Sequence, residues 1–93
     1  MRAFTLDGGS IGSVWALHAA LARGLDFPAW YGENLDALFD CLTELPEETR
    51  LTVSGPAALE AVLGPYARRF FRVLKDAAAE NPGLHIFIQE EGL

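Results

Sequence analysis

Asp36 and Asp40 stand four residues apart in a segment without a single cation, and acids at that spacing share one face of a helix. Three chemistries could use such a pair. General acid/base catalysis would need a cleft and a raised pKa, whereas both residues read as lying on an open helical face. A divalent-cation site built from Glu33, Asp36 and Asp40 would lack the loop geometry and the further oxygen ligands that such ions take. A recognition surface asks for less: acids on one face, Ala37 small enough to permit close approach, and Trp30, Tyr31 and Phe39 nearby as aromatic anchors. Core packing is the plainer reading of these aromatics, and on residue type alone it is favoured for Phe39.

Asp40 is the residue that breaks a local rule. In a helix from Asn34 to about Thr43, Asp36 occupies the first turn, where the positive end of the helix dipole favours an acid. Asp40 occupies the C-terminal half, where the dipole opposes its charge, and Asp36 repels it from one turn away. A residue that costs local stability without local compensation marks a candidate functional position.

The wider charge pattern agrees with a surface that meets cations. Of the 13 acids in this 93-residue chain, seven (Asp26, Glu33, Asp36, Asp40, Glu44, Glu47 and Glu48) fall between Gly24 and Thr49, which hold no Lys or Arg. The rest of the chain is nearly balanced, so the net charge of −6 comes from this one stretch. That argues against nucleic acid or an anionic membrane as its partner and for a basic one. A solvated acidic surface that aids solubility is the bland alternative. No cofactor and no metal are expected.

These residues need a scaffold, and the hydrophobic pattern supplies one. Arg2 to Asp7 alternates, with Phe4 and Leu6 against Ala3 and Thr5, and reads as a strand ended by a turn at Gly8-Gly9. Ser13 is the expected N-cap for a helix carrying Val14, Leu17, Leu21 and Leu25, which Gly24 and Pro28 bring to an end. Trp15 and His18 lie on or beside it and read as packing or surface residues, since no second ligand stands at metal-binding spacing from His18. Phe27 to Glu33 is an ordered aromatic loop, and Asn34 then caps a short helix whose Leu35, Leu38 and Leu42 form an apolar stripe opposite Asp36, Ala37, Asp40 and Glu44. Pro46 stops it.

Arg50 to Ser54 reads as a second strand, Ala57 to Leu63 as a short helix closed by Gly64, and Pro65 to about Asn81 as a longer helix burying Phe70, Phe71, Leu74, Ala77 and Ala78. After Pro82-Gly83, the apolar run Leu84 to Ile88 predicts a strand covered on both sides or nearly so, with His85 packed inside it. The order β-α-α-β-α-α-β implies an α/β fold in which right-handed crossovers build a small parallel sheet packed by helices. One domain over residues 1–93 is expected from the length, with no repeat or linker. The first residues lack the apolar run of a secretory signal, no segment approaches a membrane span, and the lone Cys41 fits a reducing compartment. The cytoplasm is the expected location.

The segment Trp30-Tyr31-Gly32-Glu33-Asn34-Leu35-Asp36-Ala37-Leu38-Phe39-Asp40-Cys41-Leu42-Thr43 closely resembles the signature of the barstar family, aromatic-Tyr-Gly-x-Asn-x-Asp-Ala-Leu-aromatic-Asp-x-Leu. Weaker similarity runs over the whole chain, through the opening strand, Leu17-His18, Pro28, and the closing helix and strand from Phe71 to Ile88. The resemblance implies a single-layer, three-stranded parallel sheet with about four helices. It also implies a non-catalytic, cytoplasmic inhibitor, monomeric when free, of a small basic secreted ribonuclease of the barnase type.

By that resemblance Asp40 takes the place of the scissile phosphate, Tyr31, Gly32, Asn34 and Asp36 line the contact, and Trp30 and Thr43 edge it. Ala37 and Phe39 belong to the same surface, and Asp76 falls where the family has a supporting acid on the last helix, with Glu80 one turn on. Arg72, one turn before Asp76, is placed to neutralise it. The family often has Trp where this chain has Phe39 and Leu45, and Tyr where it has Trp30, so the partner's surface is expected to differ in detail. The alternative is an immunity or interaction module of the same family whose partner is a non-ribonuclease toxin or another protein.

Overall fold

The structure is a computed structural model that describes residues 1–90. Strand β1 (Arg2–Asp7) is followed by a 3-10 turn (Gly8–Ser10) and helices α1 (Val14–Gly24) and α2 (Leu35–Thr43). Then come β2 (Thr49–Ser54), α3 (Pro56–Leu63), α4 (Pro65–Glu80) and β3 (Leu84–Gln89). The three strands form one parallel sheet in the order β1-β2-β3, so each successive strand is reached by a two-helix crossover. In register, Phe4 meets Leu51 and Leu51 meets Ile86, while Leu6 meets Val53. The expected α/β architecture is therefore the observed one.

Local chemistry explains where the helices begin. The Ser13 side chain accepts the Ala16 N–H at 3.0 Å, and the Asn34 side chain accepts that of Ala37 at 2.8 Å, each satisfying a donor that the first turn leaves free. Pro65 opens α4 with a fixed φ, and Gly64 before it stands at φ 59°, ψ −137°, a conformation essentially reserved for glycine. Gly24 closes α1 for a different reason. A Cβ there would drive into the ring of Phe4, so the missing side chain lets the helix end lie directly on β1.

The strands alternate in burial. Leu6, Leu51, Val53 and Leu84 on one face are buried, whereas Ala3, Thr5, Arg50, Phe87 and Gln89 on the other are exposed. All four helices thus cover a single face. They contribute Leu17, Leu21, Leu38, Leu42, Leu59, Phe70 and Leu74 to the core, each fully shielded from water.

Two expectations for β3 are corrected by this layering. Its apolar run suggests cover on both sides, yet Phe87, on the face opposite the helices, is 48% exposed with no described residue layered over that face, and Ile88, on the helix side but in the edge strand, is 44% exposed. The Arg50 guanidinium 5.2 Å from the Phe87 ring centre supplies partial cover from the neighbouring strand. His85 is not packed inside the strand either. It points to the uncovered side, where Nε2 lies 2.7 Å from the Glu48 carboxylate. No helix among the described residues is long and apolar enough to cross a membrane.

Candidate functional site

The acidic helix α2 packs between loop and core so that its polar face stays open. Leu38, Cys41 and Leu42 are buried, while Asp36 and Asp40 are exposed on the opposite side with Ala37 between them, partly covered. Phe39 is half-buried against the core, a position between the two readings offered for it. Thr43 is also half-buried, and its hydroxyl donates to the Asp40 carbonyl at 3.0 Å, tying down the last turn of the helix.

Five of the seven acids in this stretch have no ion-pair partner among the described residues. Among the described residues the salt bridges are Arg2–Glu47 at 3.2 Å and His85–Glu48 at 2.7 Å, both away from the α2 face. Asp26, Glu33, Asp36, Asp40 and Glu44 are all exposed and uncompensated. Their mutual repulsion is a standing cost that an incoming cation would relieve. Asp76 and Glu80 are exposed on α4, the helix that packs against α2, and Arg72 forms no ion pair with Asp76. The expected neutralisation of Asp76 therefore does not occur: spacing along a helix permits such a pair but does not hold two long, hydrated side chains together.

The loop leading into α2 is fixed more firmly than its exposure suggests. Asp26 and Glu33 both adopt φ 57°, in the left-handed region, and bracket the turn. Within it the Phe27 N–H donates to the Ala22 carbonyl at 2.9 Å and the Tyr31 N–H to that of Pro28 at 3.0 Å. The Asn34 side chain donates to the Gly32 carbonyl at 3.3 Å while capping α2, so one residue orders both the loop end and the helix start. Gly32 and Asn34 are themselves exposed, and Trp30 is 76% exposed at the tip.

Tyr31 is placed differently from its neighbours. It is only 8% exposed, its ring lies 4.9 Å from that of Phe27, and its hydroxyl is 2.6 Å from Nδ1 of His18 on α1. Nε2 of His18 is in turn 2.7 Å from the hydroxyl of Tyr66 on α4. Three elements thus meet at one fully buried imidazole. A neutral ring with one N–H and one bare nitrogen matches two hydroxyls, each of which can donate or accept. Burial lowers the His18 pKa, with a smaller opposing pull from Glu33, and burial raises those of Tyr31 and Tyr66. Neither Tyr66 nor its link to the loop was legible in the sequence, because the partners are 48 residues apart.

Among the described residues no group of three or more His, Cys, Asp or Glu side chains is arranged to hold a metal ion. The chemistry available is that of an unpaired anionic surface on a rigid helix, flanked by an exposed tryptophan and stabilised from behind by the core.

Comparison with known proteins bears on this arrangement. The family model described as Barstar (barnase inhibitor) matches residues 1–89. A protein of Bacillus subtilis (strain 168), named "Putative ribonuclease inhibitor YrdF", is 39% identical in an alignment that covers 86% of this chain and 89% of that protein.

Proposed function

This chain belongs to the barstar family, and from that membership we propose that it inhibits a small, basic ribonuclease of the barnase type by seating α2 in the enzyme's active site. A ribonuclease site is preorganised for phosphate, with cationic donors converging on anionic oxygens. A carboxylate carried by a helix offers those donors the same charge without a bond that can be cleaved. Asp40 is the phosphate mimic in this reading, Asp36 the second acid, and Gly32, Asn34, Ala37 and Thr43 the close-packed surround. Trp30 and Phe39 supply apolar contact at the edge, and Asp76 adds charge from α4. Tyr31 acts from behind, holding the loop against His18.

The observation that carries this reading is the pair Asp36 and Asp40, both exposed and unpaired on the open face of α2, with Asp40 in the half of the helix where its charge is least favoured. The protein itself performs no chemistry; occupancy of the site is sufficient for inhibition. Mixing the purified protein with a barnase-type ribonuclease and following cleavage of a fluorescent RNA tests it. Stoichiometric loss of cleavage is the expected outcome. Undiminished cleavage across several such ribonucleases would direct the same surface to a toxin of another type.

A further inference from the structure

We propose that the small cavity between the α1–α2 loop and the C-terminal end of α2 is a subsite for an arginine side chain of the partner, a reading that deepens the proposed function and rests on it for the partner's identity. The cavity measures about 140 Å³ and is walled chiefly by Phe27, Trp30 and Leu45, with Asp26 and Glu44 at its exposed margin. Sites for free small molecules begin near roughly 300 Å³, so this one suits a single side chain.

Three features select arginine as the occupant. Trp30 leaves 76% of its surface in water, an unfavourable position for the largest apolar side chain in the free protein, and indole is the ring that best attracts a cation laid on its face. Asp26 and Glu44 approach from two different elements, and neither has an ion-pair partner among the described residues. The cavity also lies at the C-terminal end of α2, where the helix dipole is negative. Apolar walls accept an aliphatic stem, the indole stacks on a planar guanidinium, and two acids receive its N–H groups, a combination that fits arginine better than a point-charge ammonium.

The subsite is built in advance. Its Phe27 wall is packed at 4.9 Å on Tyr31, whose hydroxyl is held at 2.6 Å by the buried His18, so the loop brings little new order to be frozen on binding. Glu44 is one helical turn beyond Asp40, which makes the cavity continuous with the acidic face of α2.

The first test is independent of any ribonuclease. In a Trp15→Phe background, which leaves Trp30 as the sole indole, N-acetyl-arginine amide and its neutral isostere N-acetyl-citrulline amide are titrated while the indole N–H resonance is followed. The arginine compound should move the resonance at least about fivefold further than the citrulline compound. Asp26→Asn combined with Glu44→Gln should reduce the arginine response to the citrulline level. Both acids are exposed and Asn tolerates the left-handed backbone at position 26, so the fold is retained. Equal responses to the two amides, or no response, would overturn the subsite.

A second test uses a barnase-type ribonuclease and reads the dissociation rate, which distant charge affects far less than the association rate. The double substitution should speed dissociation roughly tenfold. If Asp40→Ala weakens inhibition and the double substitution leaves dissociation unchanged, the subsite is wrong and the plugging of the active site stands. If the arginine amide binds as described but no ribonuclease is inhibited, the subsite stands and the ribonuclease reading falls.

Discussion

His18 and Tyr31 share a 2.6 Å hydrogen bond in the protein interior, and through it the first helix holds the loop that precedes the acidic helix. The bond couples a buried titratable group to the candidate interface. Replacing Tyr31 by Phe removes the hydroxyl and leaves a buried ring nitrogen short of one partner. A loss of about 1–3 kcal/mol in urea unfolding is expected, together with weaker inhibition as the loop loosens. Unchanged stability would mean that the bond contributes nothing net.

The same imidazole sets a pH dependence. Burial depresses the His18 pKa below the 6.5 of an unfolded histidine, so in acid the unfolded chain binds the proton more readily than the folded one. The stabilisation from neutral His18 is present in full above pH 6.5 and is lost as pH falls from there through the folded-state value. Urea melts between pH 7.5 and 5.5 should show stability falling with acidification, and His18→Gln should flatten that slope. A wild-type slope equal to that of the variant would assign the effect to other groups.

Replacing Asp40 by Ala should separate folding from binding. Relief from the helix dipole and from Asp36, with the better helix propensity of Ala, leaves stability unchanged or raises it by roughly 0.3–1 kcal/mol. Inhibition should weaken by at least ~2 kcal/mol, since the partner's buried cations lose their counter-charge. Urea melts and an inhibition titration on the same two proteins decide the matter. A stability loss above about 1 kcal/mol would make Asp40 structural, and intact inhibition would move the central role to Asp36.

Association with a basic partner should be steered by the five unpaired acids of the Asp26–Glu44 stretch. Stopped-flow measurements should show an association rate that drops steeply with added salt and a dissociation rate that changes little. A flat association rate would remove long-range steering from the mechanism.

Gly24→Ala should destabilise the fold by about 1–3 kcal/mol, because its Cβ would enter the space of the Phe4 ring and force α1 off β1. Gly12→Ala is the matched control, with nothing within 4 Å of the added carbon. Thermal or urea unfolding of both variants checks the contrast, and equal stabilities would show that Phe4 swings aside freely.

Periodicity, caps and breakers determined the elements of this protein in sequence order, because each depends on residues within one or two helical turns. Ser13, Asn34 and Pro65 mark their helices by local hydrogen bonds or fixed dihedrals, and the caps at Ser13 and Asn34 are observed where the residue types placed them. The candidate interface was legible for the same reason: Asp36, Asp40 and the aromatic loop form one contiguous segment whose charge and helical spacing need no distant partner. What tertiary structure decided was which neighbours come from far along the chain. An apolar run such as Leu84 to Ile88 reports a strand but not whether its second face is covered, and the three-strand order with all helices on one side left Phe87 and His85 on the open face. His18, Tyr31 and Tyr66 carry no shared local signal, since only the packing of α1 and α4 around the loop brings two hydroxyls to one ring. The cavity beside Trp30 likewise exists only where a loop and a helix end meet, with Asp26 and Glu44 brought to its margin from either side of the acidic helix.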